Sequence, residues 1–405
     1  MKPRISIIGA GASALVLANE LNTQVFDVTV YDQQNRAGKK FLVAGYGGLN
    51  LTHSEAPEQF ITRYTPYTFL QKAFSSFNNE AYIRWLQARG IDTFVGSSGR
   101  VFPKAGLPPA QVLKQLLNRA EQNGVHFRYG QKWIGIEPDG ALLFESRGQQ
   151  HKVVSHYVVF CLGGGSWPVT GSNSQWLELF KQKSIQVSAF QSSNCTMLIQ
   201  WSEKVPKDVF GAAIKNAVIT CGEKKVAGEL VITARGIEGS GVYPFSPEIR
   251  EQLRQHDRAE VRVDFKPTLS KEDLVNKLAS HSGSRTQFLK RELRLSAAHI
   301  ALLKAHLTKE EFTHNETLAQ AIKSFPFIVS GMAPTEEAIS TVGGIDLKEV
   351  DQNFELKKWP AHYAIGEMLD YDAPTGGYLL QSCFTMAAFL AQHLNQSCMK
   401  NTVNI

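Results

Sequence analysis

The sequence predicts an α/β protein built around a dinucleotide-binding domain, and two patterns near the start of the chain carry this prediction. Residues 5–21 read ISIIGAGASALVLANEL, a short apolar strand that passes through Gly9-x-Gly11-x-x-Ala14 into a helix. A second strand, QVFDVTVYD, ends on Asp32, which lies 23 residues beyond Gly9. An acid near this distance is typical of the ribose-binding residue in such a βαβ unit.

Each small residue of the first motif has a physical role in that unit. Gly9 permits the tight turn, Gly11 lets a pyrophosphate approach the backbone, and Ala14 allows close packing of the helix on the strands. The helix directs its N-terminal N–H groups and positive dipole end at the phosphates. One alternative is a signal peptide with residues 5–18 as its apolar region, but the spacing to Asp32 argues against it. The other is a similar βαβ unit that binds no nucleotide.

The composition of the chain changes along its length and indicates an interrupted domain. Residues 1–187 and 326–405 both read as mixed α/β, so the two chain ends are expected to build the nucleotide domain together. Residues 188–268 alternate short strand-like runs with turn residues, which predicts an inserted β-barrel or sandwich. Residues 269–325 carry leucines at helical spacing after a Ser270–Asp273 N-cap pair, which predicts a small helical domain.

A second glycine motif near the chain end favours a flavin over a nicotinamide dinucleotide. The segment GEMLDYDAPTGGYLLQ places Asp370 after a strand and opens a helix with Gly376 and Gly377. A helix N-terminus at this place would stabilise the negative charge of reduced flavin near N1 and O2. Asp370 would hydrogen-bond the ribityl chain. The alternative is an ordinary strand, loop and helix in the core.

Composition and missing motifs narrow the class of protein further. Of 405 residues, 43% are hydrophobic, and no apolar run reaches the roughly 18 residues of a membrane span. The five cysteines are scattered without a CxxC and the eleven histidines form no metal-binding pair, so we expect a cytoplasmic protein without a metal. No GxSxG elbow and no second GxGxxG occur, which disfavours a hydrolase and a built-in NAD(P)H domain. The net charge of +6 permits an acidic partner such as RNA.

A series of motifs between residues 5 and 381 gives a more specific indication. In chain order these are GAGASA, AGKKFLVAGYGGLNLTHSE, SGRVFPK, CLGGGSWPVTGS, GELVITARGIEGS, AISTVGGI and GEMLDYDAPTGGYLLQ. Together they resemble the HI0933-like flavoproteins, also called BaiN-like or aminoacetone-oxidase-like, and especially a subgroup with the GGLNLTHSE block. The resemblance implies a glutathione-reductase-type FAD-binding Rossmann domain with an inserted β-barrel and a small helical domain.

The resemblance also implies which residues hold FAD. Those expected at the adenosine, the pyrophosphate or the second glycine-rich turn are Gly9, Gly11, Ala12, Ser13, Asp32, Lys39, Lys40, Trp133 and Gly163. Those expected near the flavin or in the C-terminal block are Asn50, Gly366, Asp370, Gly376, Gly377, Tyr378 and Leu379. Within the first set, Asp32 would bind the adenosine ribose, and the strand that carries Trp133 would meet adenine through its backbone.

One block departs from the family pattern. Many relatives read GNGRCN where this chain reads GYGGLN over residues 45–50. The Arg and Cys of those relatives are therefore Gly48 and Leu49 here. Any chemistry that those two residues perform elsewhere does not transfer, and a natural thiol acid is missing from the predicted site.

Three residues are candidates for contact with the substrate or the flavin. Arg235, in TARGIEGS, lies between glycine-flanked β segments, and its alternative is a plain surface residue. Arg100, in SGRVFP, has a loop ion pair as its alternative. Tyr378 starts a helix, so its hydroxyl would reach the ring unless the side chain is a packed core aromatic. The segment RTQFLKRELR over residues 285–294 is basic and would bind along the phosphate backbone of an RNA. The alternative is an ordinary solvated helix face.

These patterns lead to several functional hypotheses. The first is an FAD-dependent oxidoreductase that transfers hydride through flavin N5. The resemblance associates such proteins with reduction of C=C bonds in ring substrates, including uridine in ribosomal RNA, or with oxidation of small amines. The basic segment favours reduction of an RNA over a small molecule, with NAD(P)H as a transient donor. The alternatives are an amine oxidase, a non-catalytic dinucleotide-binding protein and a nicotinamide dehydrogenase; the substrate, general acid or base and oligomeric state stay open.

Overall fold

The chain forms two compact units, and one is inserted into the other in sequence. The computed structural model describes residues 1–44 and 48–403. The first unit joins Met1–Gln191 to Ile339–Ile405, and the second is Ser192–Ala338. Each unit has its own buried apolar core.

The described residues form the following strands, α-helices and short 3₁₀ turns. The strands are β1 (Arg4–Ile8), β2 (Asp27–Asp32), β3 (Thr52–His53), β4 (Thr93–Val95), β5 (Arg100–Pro103), β6 (His126–Tyr129), β7 (Lys132–Ile136), β8 (Leu142–Ser146), β9 (Gln149–Val153), β10 (Tyr157–Phe160), β11 (Val187–Ser193), β12 (Met197–Leu198), β13 (Ala213–Cys221), β14 (Lys224–Thr233), β15 (Gly236–Glu238), β16 (Ala259–Asp264), β17 (Phe325–Val329), β18 (Gly331–Met332), β19 (Ser340–Ile345) and β20 (His362–Ala364). The α-helices are α1 (Ala12–Glu20), α2 (Lys39–Val43), α3 (Pro57–Phe60), α4 (Gln71–Ser76), α5 (Asn79–Gln87), α6 (Pro109–Gln122), α7 (Trp176–Gln182), α8 (Ser246–His256), α9 (Lys271–Ala279), α10 (Arg285–Arg291), α11 (Ala297–His306), α12 (Lys309–Thr313), α13 (Asn315–Lys323) and α14 (Tyr378–Val403). Short 3₁₀ turns lie at Ile61–Arg63, Tyr67–Phe69, Pro168–Thr170, Lys207–Val209, Tyr243–Phe245 and Leu347–Glu349.

A parallel sheet is the centre of the first unit and confirms the predicted Rossmann-type fold. Its strand order is β20–β10–β1–β2–β6, and every neighbouring pair runs parallel. β1 and β10 are apolar and almost wholly buried, as expected for strands that are covered on both faces. Helix α1 packs against α6 and α14. The loops after β1, β10 and β20 therefore leave the same carboxyl edge, where parallel sheets of this kind bind their ligands.

Besides a two-stranded sheet of β11 and β19, two small antiparallel sheets belong to the first unit. One has the order β7–β8–β9 and the other the order β3–β5–β4. The second of these sheets lies beside the start of α14, because β3 contacts that helix. Its strands therefore contribute to the same region as the C-terminal glycine motif.

The second unit is an antiparallel sheet that shares its core with helices. The strand order is β17–β16–β13–β14–β15–β12–β18. Its outermost strands, β17 and β18, are separated only by Ser330, so the two edges meet and the sheet closes on itself. Helices α9, α10, α11 and α13 bury apolar side chains in the same core as these strands. The predicted cap of α9 is confirmed as a capping box between Ser270 and Asp273. Among the described residues, no helix has the length and apolar character needed to cross a membrane.

Candidate functional site

Two glycines shape the turn from β1 to α1 at the carboxyl edge of the parallel sheet. Gly9 has a φ of +99°, and a Cβ atom there would lie 2.4 Å from the carbonyl oxygen of Cys161. Gly11 precedes α1 with a φ of −86°, and a Cβ atom there would meet no described atom within 4 Å. No side chain caps the helix start, so its first N–H groups are available to an anionic ligand. Gly9 therefore serves the fold, whereas Gly11 borders open space.

Asp32, at the end of β2, lies beside this turn. Its carboxylate accepts hydrogen bonds from the backbone N–H groups of Ala10 at 2.6 Å and Gln34 at 2.7 Å. Burial raises the pKa of this carboxyl, and the two N–H donors and nearby Lys39 oppose that rise. The carboxylate fixes the turn and keeps acceptor capacity for a further donor such as a ribose hydroxyl.

The loop after β20 closes against the start of α1. Ala12 and Ser13 form the first turn of the helix. Gly366 has a φ of +88°, and a Cβ atom there would lie 2.5 Å from the Ser13 Oγ. Gly163, in the turn after β10, also has a left-handed backbone, with a φ of +72°. These predicted residues thus surround one edge of the sheet.

The two lysines expected near the phosphates have different partners. The Lys39 ammonium donates to the side-chain oxygen of Gln34. The Lys40 Nζ lies 3.1 Å from the Ser166 Oγ and 3.4 Å from a carboxylate oxygen of Glu367. Both ammonium groups therefore lie close to the glycine-rich turns, although neither side chain is fully buried.

Glu367 is a residue of this region that sequence reasoning missed. Its side chain is 8% exposed, and its carboxylate accepts from the backbone N–H of Thr341 at 3.1 Å and of Gly164 at 3.4 Å. Together with Lys40, these contacts tie the second glycine-rich turn to the loop after β20. A signal was available, because this acid directly follows Gly366 in GEMLD, but its partners are distant in sequence.

Three predicted cofactor residues carry polar groups that no described residue satisfies. The Asn50 Oδ1 and the Trp133 Nε1 are buried without a hydrogen-bond partner. The half-buried carboxylate of Asp370 likewise has no described side-chain partner. Buried polar atoms are nearly always satisfied in folded proteins, so a ligand or an ordered water would complete these groups. With the open space at Gly11, this region has room and polar groups for a bound dinucleotide such as FAD.

The start of α14 packs closely against β3. Gly376 and Gly377 have φ values of +107° and +95°. A Cβ atom on Gly377 would lie 2.6 Å from the backbone of Thr52, so this position has no room for a side chain. Leu379 lies half-buried in the first turn of the helix. The two glycines therefore bring the N-terminus of α14 directly against the small sheet.

The Tyr378 hydroxyl belongs to a polar cluster beneath that helix start. Its buried ring stacks on His53, with 5.4 Å between ring centroids, and contacts Phe60. The hydroxyl donates to a carboxylate oxygen of Glu55 at 2.8 Å, and Glu55 also forms an ion pair with Arg63. Burial, reinforced by Glu55, raises the pKa of Tyr378. Burial also acts to raise the pKa of Glu55, but hydrogen bonds from Arg63 and Tyr378 outweigh it and leave that pKa below its ordinary value.

The two candidate arginines lie in different units. The Nε of Arg100 is 3.9 Å from where a Cβ atom on Gly376 would be, and no described carboxylate pairs with its guanidinium. Arg235 is exposed and forms an ion pair with Glu337, with 2.5 Å between Nη1 and Oε2. Arg100 therefore lies near the start of α14 in the first unit, whereas Arg235 pairs with a surface carboxylate within the second unit.

The basic segment 285–294 contains one structural arginine and a group of exposed cations. Arg285 donates to the carbonyl oxygens of Leu278 and Thr313, each at 2.9 Å. The exposed cations, which have no described carboxylate partner, are Lys290, Arg291 and Arg294. Only this second group is available to an external anion.

The GYGGLN block and the acidic, cysteine and histidine side chains bear on two further predictions. Residues 45–47 of GYGGLN lie outside the described residues, while Gly48 is exposed and Leu49 is buried. Over residues 1–44 and 48–403, no group of three His, Cys, Asp or Glu side chains is arranged to hold a metal ion.

Comparison with known proteins agrees with this arrangement. The family profile described as HI0933-like protein Rossmann domain matches residues 3–393. A ribosomal RNA dihydrouridine synthase from Haemophilus influenzae is 24% identical over 394 residues, which cover 94% of this chain and 96% of that protein. A 3-dehydro-bile acid delta(4,6)-reductase from Clostridium scindens is 25% identical over 412 residues, covering 93% and 95%. The crystal structure of 3-ketosteroid-delta4-(5alpha)-dehydrogenase from Rhodococcus jostii RHA1 matches with a TM-score of 0.51 at 12% identity, covering 98% and 96%, a likeness of fold alone.

Proposed function

This chain belongs to the HI0933-like family of FAD-dependent oxidoreductases, and we propose that it reduces a C=C bond in a ring substrate, a uridine of ribosomal RNA, with NAD(P)H as donor. The observation that carries this choice is the nature of two relatives that span nearly the whole chain. One is named as an rRNA dihydrouridine synthase and the other as a delta(4,6)-reductase. Both names describe the addition of hydrogen across a double bond of a ring.

The residues at the carboxyl edge of the parallel sheet fit the binding and orientation of FAD. FAD, when bound, supplies two-electron hydride transfer at its N5 atom. We assign the pyrophosphate to the uncapped start of α1 and the adenosine ribose to Asp32. We assign Asn50 and Asp370 to the flavin half, because their polar oxygens have no described partners. The positive N-terminal end of the α14 dipole would then stabilise negative charge on the flavin ring.

The exposed cations of the second unit support an RNA substrate over a small molecule. Lys290, Arg291 and Arg294 lie within five residues of one another and lack described carboxylate partners. Exposed lysine and arginine side chains of this kind bind phosphate backbones, and the resulting affinity falls as salt rises. A small-molecule substrate, in contrast, offers no phosphate backbone to such a cluster.

The purified protein provides the test. We expect it to carry yellow flavin absorbance, to bleach anaerobically with NADPH, and to regain colour when unmodified ribosomal RNA is added. Nucleoside mass spectrometry of the recovered RNA should then show dihydrouridine in amounts that match the NADPH consumed. A flavin that ignores NAD(P)H but is bleached by a small amine would identify an oxidase. A colourless protein that does not take up FAD would identify a different kind of binding protein.

A further inference from the structure

One face of the small sheet β3–β5–β4 carries aromatic and cationic side chains. Arg100 of β5 lies opposite His53 of β3, and Phe102 of β5 lies opposite Phe94 of β4. Directly opposite residues in antiparallel strands point to the same face, and so do alternate residues of one strand. These four side chains therefore share one face. Val101, between Arg100 and Phe102, points the other way and is fully buried.

The two phenylalanines form a stacked pair at the open end of this face. Phe94 is 47% exposed, and its ring lies 5.7 Å from that of Phe102 with 29° between their planes. Glycines flank the Phe102 ring: Cβ atoms on Gly48 and Gly96 would lie 3.5 Å and 3.2 Å from it. A Cβ atom would therefore crowd the ring at Gly96 but would make only ordinary contact with it at Gly48. The exposed face of this pair is a surface on which a further flat ring can stack.

Arg100 lies between the aromatic pair and the start of α14. Its guanidinium has no described carboxylate partner, and its Nε is 3.9 Å from the Cβ position of Gly376. A cation beside the positive end of a helix is unfavourable by itself. An electron-rich oxygen of a ligand would relieve that repulsion while accepting hydrogen bonds from the guanidinium.

We propose that this face is the subsite for the uracil ring of the RNA substrate, an inference that rests on the function proposed above. Phe94 and Phe102 offer the stacking surface that proteins use for unstacked bases. Arg100 donates to the O4 carbonyl oxygen of the base. The stacked rings provide affinity for a flat base, and the guanidinium sets its orientation.

The same geometry gives Arg100 a role in the reaction. Saturation of uracil breaks the C5–C6 π bond, with a hydride added at C6 and a proton at C5. A dihydronicotinamide is oxidised and supplies the two electrons, while solvent supplies the proton. Because O4 is conjugated with that double bond, negative charge develops on O4 as the hydride arrives. A preorganised cation at this oxygen stabilises the developing charge.

The test compares Phe94→Ala and Arg100→Gln with wild type in the flavin-loaded protein. The matched control is Val154→Ala, since Val154 is 57% exposed and lies in the short connection between β9 and β10, which leads into the amino end of β10 and so lies away from the carboxyl edge of the parallel sheet. Two quantities are measured for each variant. Binding of a short uridine-containing RNA to the oxidised protein is followed by the change in flavin absorbance, and steady-state kcat and KM are determined with the same RNA.

We expect Phe94→Ala to raise both Kd and KM about 10-fold with little change in kcat, because stacking contributes to ground-state binding. Arg100→Gln should lower kcat about 100-fold, and Arg100→Lys should recover part of that loss. Val154→Ala should match wild type in every quantity. Thermal unfolding of each variant checks that the fold is retained.

Two results would overturn the assignment, and they are distinguishable. If the wild type reduces uridine in RNA while Phe94→Ala and Arg100→Gln bind and react like it, the subsite lies elsewhere and the proposed function stands. If the wild type neither binds nor reduces any uracil-containing RNA but its bleached flavin is reoxidised by another acceptor, the proposed function fails and this assignment fails with it.

Discussion

The single substitutions Gly9→Ala and Gly11→Ala should have different effects, because Gly9 is required for folding whereas Gly11 is required for ligand binding. At Gly9 the new Cβ atom would lie 2.4 Å from the Cys161 carbonyl oxygen, well inside the 3.0 Å that real Cβ atoms respect. The left-handed φ of +99° adds about 1–2 kcal/mol of backbone strain, and overpacking of this kind typically costs about 1–3 kcal/mol. We therefore expect Gly9→Ala to lower the free energy of unfolding by about 2–5 kcal/mol.

Gly11→Ala should behave differently because its backbone and surroundings accept a side chain. The φ of −86° is ordinary for alanine, and the new Cβ atom meets no described atom within 4 Å. Alanine is a poorer N-cap than glycine, but it also restricts the unfolded chain, and these opposing effects are each about 0.5–1 kcal/mol. Stability should therefore change little. The methyl group would instead occupy the space through which the pyrophosphate approaches, so the Kd for FAD should rise at least about 10-fold.

The assay uses each variant with its flavin removed. Urea unfolding followed by tryptophan fluorescence gives the stability of the apoprotein, and titration with FAD, followed by quenching of flavin fluorescence, gives the Kd. The reasoning predicts opposite patterns: lost stability at Gly9, and lost affinity with retained stability at Gly11. It is refuted if Gly11→Ala binds FAD as tightly as wild type, or if its apoprotein is destabilised as much as that of Gly9→Ala.

Three further predictions concern individual side chains. Tyr378→Phe removes the hydrogen bond to Glu55 and should reduce the free energy of unfolding by about 1 kcal/mol. Because the folded-state pKa of Glu55 is lowered, its stabilisation is present above the ordinary glutamate pKa and is lost as pH falls through the folded value. Loss of the Tyr378 hydrogen bond brings the folded pKa closer to the ordinary one, so in Tyr378→Phe the acid-induced loss of stability in urea unfolding should be smaller and should end at a higher pH. Burial lowers the pKa of His299 to about 4. The stability that the neutral imidazole allows should therefore be fully present above the unfolded-state pKa of about 6.5, and the free energy of unfolding should fall by about 3 kcal/mol as pH drops toward 4. A His299→Gln variant whose stability falls equally steeply with pH would contradict this. Arg235→Gln should change stability by less than about 1 kcal/mol and leave kcat unaltered, because its ion pair with Glu337 is exposed; a tenfold loss of kcat would show that Arg235 contacts the substrate.

The local parts of the fold were predictable because neighbouring residues determine them. The first strand, the glycine turn and the second strand follow from an apolar run, the spacing of two glycines and a terminal acid. The capping box of α9 depends on two residues only three positions apart. The sequence did not predict that the two inserted segments form one unit, because the hydrophobic patterns of residues 188–268 and 269–325 indicate only local secondary structure. They do not show that the apolar faces of the two segments pack into one shared core.

The polar contacts of the site were beyond local reasoning for the same physical reason. Glu367 meets Lys40 across 327 residues of sequence, and Tyr378 meets Glu55 across 323. Neither pair has a spacing that local periodicity recognises. The family resemblance named Lys40 and Tyr378 as site residues but gave no partners for them. Only the folded chain shows that the Tyr378 hydroxyl donates a hydrogen bond to a carboxylate within the protein.

Because Leu49 stands where the motif resemblance places a cysteine, a proton for the substrate would have to come from a group near α14 or from solvent. The His53 Nδ1 accepts from the backbone N–H of Glu55 at 3.0 Å, so its Nε2 carries the hydrogen, and this atom lies 3.0 Å from the carbonyl oxygen of Ser98. Burial lowers the pKa of His53, which keeps the ring neutral. Tyr378 is engaged by Glu55, and burial raises its pKa. Because both side chains already donate within the protein, neither gives a proton to a substrate without losing a hydrogen bond, and solvent is the donor that this arrangement favours.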